Sequence, residues 1–344
     1  MAQIVFGMAI PHSGILGKAP ETWVEDGERD RNNPTLWYRN RTWTYPELEY
    51  ERRNDGFERL TVVEERRERS ARCTQAIAEM RQAYEAANPD VVVILGKDQK
   101  EIFVDHMPCF AVYTGQEIHN GPPQRSVYAP DRAVTHEGHP ELAAHLIQSL
   151  KGDGFDLTNL MKWPPNSWMK QEPIVPHAFG FVYHQVMADQ PPPNVPILIN
   201  TFYPPTQPSM LRSVAFGQGL LKAIKSWDSP KKVAVIASGG LSHFVCDETL
   251  DHTIIEKLNN YDFNGLAAID DRSYQSGTSE VKLYGALLAC MAESAAKMTL
   301  VDYVPCYRSL AGTGEGMGFM YWTTASTVPN HQAWAKGSFS KHRF

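Results

Sequence analysis

The sequence predicts an α/β fold: one central, mostly parallel or mixed sheet flanked by helices, with the active site at the strand ends. Two observations predict it. Five short runs are rich in Val, Ile and other apolar residues, without the polar alternation of a half-exposed strand. Such runs suit strands buried on both faces. Segments with helical spacing lie between them, and strands alternating with helices are the pattern of α/β architectures.

The first run, residues 3–10 (QIVFGMAI), ends at Pro11, so a buried strand gives way to a loop there. The stretch MAQIVFGMAIPHSG carries neither a positive leader nor a small-residue cleavage site, and reads as a strand rather than a signal peptide. From about Thr61 the chain turns helical: Cys73, Ile77, Met80 and Tyr84 recur at helical spacing in a charged segment. Residues 90–96 (DVVVILG) and 108–114 (PCFAVYT) predict two more strands. Pro140 to Leu150 reads as a helix with Leu142, His145, Leu146 and Leu150 on similar faces. Residues 196–202 (PILINTF) form a fourth strand. Ser209 caps a helix through about Ile224, with Leu211, Val214 and Leu221 inward. Residues 232–238 (KVAVIAS) form a fifth strand, and helices over 248–258 and 278–296 complete the set.

Two stretches interrupt the alternation. Residues 17–56 are polar and Arg-rich, with Trp23, Trp37 and Trp43; residues 153–176 carry Trp163, Pro164, Pro165 and Trp168. Irregular segments of this length are lids or binding loops, or else peripheral packing and subunit contacts. No repeat, low-complexity tract or linker divides the chain, so residues 1–344 read as a single domain.

Composition narrows the function. Hydrophobic residues make up 42% and charged residues 21%, which is enough to bury a substantial core. The net charge is −6 with no basic block, which argues against a nucleic-acid partner. The five cysteines (Cys73, Cys109, Cys246, Cys290, Cys306) are odd in number and none form CxxC. That argues against a disulfide framework and a cysteine zinc site, and makes a reducing cytoplasm the expected location. No apolar run is long enough to span a bilayer.

Several histidines carry the candidate chemistry. His12 follows the first predicted strand, where α/β folds place functional groups. Neutral imidazole is the commonest metal ligand, although a lone loop histidine is ordinarily only a hydrogen-bonding residue. Gly239-Gly240-Leu241-Ser242-His243 follows the strand KVAVIAS, and Glu248 comes soon after it at a helix start. An acid there suits the helix dipole, or supplies the anionic member of a non-haem iron site. His177 precedes an apolar stretch and has the setting of a neutral base. His139 immediately precedes a helix. The glycines of 312–318 lack a following Lys-Ser or Lys-Thr pair, which excludes a phosphate loop.

Taken in order, these segments resemble the class III extradiol dioxygenases, the superfamily of the protocatechuate 4,5-dioxygenase catalytic β-subunit. The segments are PHSG (11–14), PDVVVILGKDQ (89–99), GHPELAAH (138–145), PHAFGFVYHQVM (176–187), ASGGLSHFVCDETLD (237–251), SGTSEVK (276–282) and YRSLAGTGEGMGF (307–319). The resemblance implies Fe(II), or another divalent metal, bound by His12 and Glu248. It makes His177 the catalytic acid/base, brings His139 near the substrate and gives His243 an orienting role behind the ligands. The partners it implies are a small aromatic substrate and O2, with ring opening of a catechol or gallate type; self-association stays open. The family's small helical partner subunit has no counterpart in this chain, and the 17–56 insertion is a candidate to cover that side of the site. The sequence departs from the family at Asp98-Gln99, where a second histidine ligand is expected. Gln99 completes a His-Gln-Glu site, or His106 or His119 takes over, or the iron chemistry is altered or lost. A non-oxidative metal-dependent hydrolase or lyase and a metal-free binding protein are the alternatives, since a fold does not fix a function.

Overall fold

The computed structural model describes residues 1–120, 127–164, 175–294 and 296–324. The chain opens with β1 (Gln3–Ile10), α1 (Trp23–Arg31), the hairpin β2 (Leu36–Tyr38) and β3 (Arg41–Trp43), then α2 (Tyr45–Glu51), α3 (Phe57–Leu60) and α4 (Val63–Ala87). Next come β4 (Val91–Gly96), β5 (Phe110–Tyr113), β6 (Glu117–Asn120), β7 (Val134–Glu137), α5 (Pro140–Gly152), β8 (Thr158–Leu160) and α6 (His177–Phe181). Then follow β9 (Asn194–Ile199), α7 (Met210–Ser226), β10 (Lys232–Ser238), β11 (His243–Val245), α8 (Glu248–Asn259) and α9 (Phe263–Ala268). A 3-10 turn, Ser276–Glu280, leads into α10 (Val281–Met291), and the described chain closes with β12 (Lys297–Tyr307) and β13 (Thr313–Thr323).

Among the described residues nine strands form the main sheet, in the order β11-β13-β1-β10-β4-β9-β5-β8, with β12 paired to β13. The centre is parallel: β1 with β10, β10 with β4, and β4 with β9. Both flanks are mixed, because β13 runs antiparallel to β1 and β5 antiparallel to β9. The architecture is thus a single α/β unit with a mixed sheet.

The apolar runs explain the layers. Strand side chains alternate between faces. Val91, Val93 and Leu95 therefore join Val233, Val235 and Ala237 in a core shared with α5, α7, α8 and α10. Val92 and Ile94 join Ala234 and Ile236 on the other face, against Cys73, Ala76 and Met80 of α4 and Phe179 and Phe181 of α6. Among the described residues no helix is long and apolar enough to cross a membrane.

The five expected strands are present with bounds shifted by a few residues at most. Three expectations change, one of them on α7, where Leu211, expected inward, is 62% exposed. The glycine-rich 312–318 stretch lies mostly inside β13, and 17–56 holds α1, the β2–β3 hairpin and α2 rather than irregular chain. Of the second interruption, residues 165–174, including Pro165 and Trp168, lie outside the described residues.

Candidate active site

Three adjacent parallel strands end at one edge of the sheet. β1 leads to His12, β4 to Lys97-Asp98-Gln99, and β10 ends at Ser238 before Gly239-Gly240. Such strand ends are where open α/β sheets hold ligands. A cavity of about 470 Å³ opens there, and His12, Gln99, Glu101, His177, His243 and Glu280 line it together with Glu315.

His12 Nδ1 is hydrogen-bonded to Ser238 Oγ at 3.0 Å, which turns Nε2 toward the cavity. Nε2 lies 3.0 Å from His177 Nε2 and 3.4 Å from Glu280 Oε1. The same carboxylate oxygen lies 2.6 Å from Lys97 Nζ and 3.6 Å from His243 Nε2. Glu280 Oε2 accepts the Gly240 amide. His177 is clamped from behind: Glu101 accepts its backbone N–H at 2.9 Å and meets its Nδ1 at 2.8 Å. Two glycines make these approaches possible. A Cβ at Gly277 would overlap the His243 ring, and one at Gly240 would overlap the Glu315 carboxylate.

The loop after β4 is tied by one side chain. Asp98 accepts the backbone amides of Lys100, Glu101, Ile102 and Phe103 at 2.9–3.1 Å. Burial and the nearby Glu101 charge still push its pKa up to about 6 against the pull of those amides.

Burial sets the charge states of the floor. It pushes the His12 pKa down to about 4, so the imidazole is neutral near pH 7 with a lone pair to offer. Burial alone would raise Glu280, but Lys97, His12 and His243 beside it hold the carboxylate well below its ordinary range. His243 shifts upward because Glu280 and Glu315 outweigh its burial. Burial raises Glu315.

Among the described residues, no three His, Cys, Asp or Glu side chains form a metal-holding group. The groups lining the cavity are mixed: a neutral imidazole at His12 and an ionised carboxylate at Glu280 that meet, with Gln99 also among the lining residues. Glu280 Oε1 is buried without a hydrogen bond and meets only cationic or imidazole nitrogens. That oxygen already takes the Lys97 ammonium, which shows that the position accommodates a cation, and imidazole, carboxylate and amide oxygen are all donors to a divalent ion.

The structure brings together His12, His177, His243 and Gln99. It places two other expected residues elsewhere. Glu248 is exposed at the start of α8, its carboxylate takes the Tyr307 hydroxyl, and it is not among the residues lining the cavity. His139 is the N-cap of α5, where Nδ1 accepts the Leu142 amide at 3.2 Å and the ring packs edge-on to Trp227. His106 is exposed, and His119 bonds Thr135 on the β6–β7 hairpin; neither lines the cavity.

The cavity's own carboxylates, Glu280 and Glu315, escaped the sequence reading, as did Glu101 and Lys97. The available signals were a Glu directly before the apolar α10 and a Glu alternating with glycines in β13.

Two residues of the 17–56 insertion, Lys18 and Asp26, reach the cavity. Lys18 pairs with Asp26 at 2.8 Å, and both line the cavity. Arg308 lines it as well, held by Asp30 at 2.6 Å. Tyr128 closes another side and donates to the His12 carbonyl at 3.1 Å.

Comparison with known proteins agrees with the resemblance. Residues 60–311 match the family model described as the catalytic LigB subunit of aromatic ring-opening dioxygenase. A gallate dioxygenase from Pseudomonas putida is 32% identical over 113 residues, which cover 32% of this chain and 30% of that protein. The matched part thus spans about a third of either chain.

Proposed function

Because the chain belongs to the family of catalytic LigB subunits of aromatic ring-opening dioxygenases, we propose that it cleaves a catechol- or gallate-type ring by extradiol opening with Fe(II) and O2. The observation that carries this reading is the meeting of His12 Nε2 and Glu280 Oε1, 3.4 Å apart, at the bottom of a strand-end cavity.

His12 and Glu280 would hold the ion, with the Gln99 amide oxygen as the third protein donor. Bound there, Fe(II) would act as a Lewis acid toward two adjacent ring hydroxyls and bring O2 beside them. The remaining chemistry belongs to the side chains. His177 presents Nε2 to the cavity floor while Glu101 fixes Nδ1, so Nε2 is the atom placed to accept a hydroxyl proton. His243, flanked by Glu280 and Glu315, is a second group able to hold a proton over the reacting ring. Tyr128 narrows the entrance and limits water around these groups. The cavity volume suits a substrate of one ring with substituents. The gallate dioxygenase relative makes gallate and related catechols the first substrates to test.

A second reading rests on one observation. Gln99 lines the cavity where an imidazole would bind iron more firmly, so a non-oxidative metal-dependent hydrolase or lyase acting on a related aromatic compound fits the same donors. One experiment separates the two. Protein reconstituted anaerobically with Fe(II) is mixed with protocatechuate, gallate and methoxylated gallates under O2. Loss of ring absorbance with one O2 consumed per substrate is the expected result. Product formation without O2 uptake supports the second reading. Absence of any divalent-ion binding in an anaerobic titration overturns both.

A further inference from the structure

Lys97 is fully buried directly after β4, in the floor under the cavity. Its Nζ lies 2.6 Å from Glu280 Oε1 and makes no hydrogen bond; the other neighbour is the Phe202 ring, with its centroid 4.6 Å away. A buried ammonium is costly unless paired, so this contact is a built feature of the floor. The oxygen it holds is also the one that faces His12 Nε2 and His243 Nε2.

The inference rests on the reading in which His12 and Glu280 bind the divalent ion. We propose that Lys97 is a resident cation that competes with that ion for Glu280 Oε1, keeping the site's affinity low and its metal exchangeable. Two effects act in the same direction. Lys97 already neutralises Glu280, so an arriving ion meets less negative charge. The ammonium and the ion would also repel each other across a few ångströms of dry protein, where water does little to screen them. A mixed donor set with Gln99 in place of an imidazole adds to the weakness. The site thus keeps its charge balanced without metal.

The test is anaerobic calorimetric titration of Mn(II) and Fe(II), separately, into the wild-type chain and into Lys97→Met, Lys97→Gln and Lys97→Arg. Lys97→Met and Lys97→Gln should bind each ion at least about tenfold more tightly than wild type, since removing a like charge at a buried site is worth that much or more. Lys97→Arg keeps the charge and should show no gain. Lys97→Gln retains a polar partner for Glu280 and carries the comparison where Lys97→Met does not fold. Equal affinity in wild type and both neutral variants, with binding still lost in His12→Ala, overturns the role of Lys97 and leaves the catalytic reading standing. Absence of ion binding in every protein overturns the catalytic reading, and this inference with it.

Discussion

The floor and the rim of the cavity both consist of ion pairs, but they are built in opposite ways. In the floor, Lys97, Glu280, His12 and His243 are nearly or wholly buried and share a single carboxylate oxygen. On the rim, Lys18 remains 41% exposed while it pairs with Asp26, whereas the neighbouring Arg308–Asp30 pair, 11% exposed on both sides, resembles the floor. Water and salt screen the Lys18–Asp26 pair, whose contribution to stability is then small. The floor has no such screening, and removing one member strands the others. Charge in the floor therefore fixes the chemistry, while charge on the rim tunes what enters.

The largest test of that contrast compares two glutamates. Glu280→Gln leaves Lys97 buried without its counter-charge. It should cost about 3–5 kcal/mol in chemical denaturation and lower metal affinity by more than roughly a hundredfold. Glu248→Gln, on the exposed start of α8, should change stability by only about 0.5 kcal/mol and leave metal content intact. Metal loss in Glu248→Gln alone would move the centre to α8.

A second test uses acid. Unfolded, His12 takes up a proton below its ordinary 6.5; buried, it resists until about 4. Its contribution to stability is therefore present above pH 6.5 and is lost as pH falls from 6.5 to 4. The loss is on the order of 3 kcal/mol at about 1.4 kcal/mol per unit. The difference in unfolding free energy between the metal-free wild type and His12→Asn should shrink across that window. A pH-independent difference would mean that the floor is not dry.

His177 should show a narrower effect. His177→Ala is expected to retain metal and lose turnover by roughly a hundredfold, the scale of one acid/base group. Metal loss in parallel would make His177 a ligand. The smallest effect belongs to the rim: Lys18→Met should change stability by about 1 kcal/mol or less. It should instead raise KM for a carboxylated catechol, by an amount that fades with added salt. A stability loss like that of Glu280→Gln would erase the distinction between the two regions.

What the sequence made legible follows from the same physics. β1, β4, β9 and β10 are buried on both faces, so their apolar runs stand out. His12 and His243 follow strand ends and could be placed from the runs, whereas Gln99 came into view only through the resemblance. β13 could not, because Thr313–Thr323 reads TGEGMGFMYWT and lacks the expected branched residues. Its glycines are explained by packing: a Cβ at Gly314 would overlap the Cys306 carbonyl, at Gly316 the Asp251 carboxylate, and at Gly318 the side chain of Leu241. Alternate positions thus press against neighbours, while Glu315 between them lines the cavity. That period of two was the readable sign. Glu280 was hidden differently. Its partners, Lys97 and His12, lie far away in sequence, whereas Glu248 lay near His243 in sequence and outside its cavity in space.

The Asp98 knot has a consequence for how such a site changes. The loop that carries Gln99 is held by four amides on Asp98, while the residue 99 side chain contributes nothing to that hold. A different side chain at 99 would be displayed from the same backbone frame. Substituting histidine there would exchange one donor without rebuilding the loop, so the step between an amide-bearing and an imidazole-bearing centre is a single replacement on an unchanged scaffold.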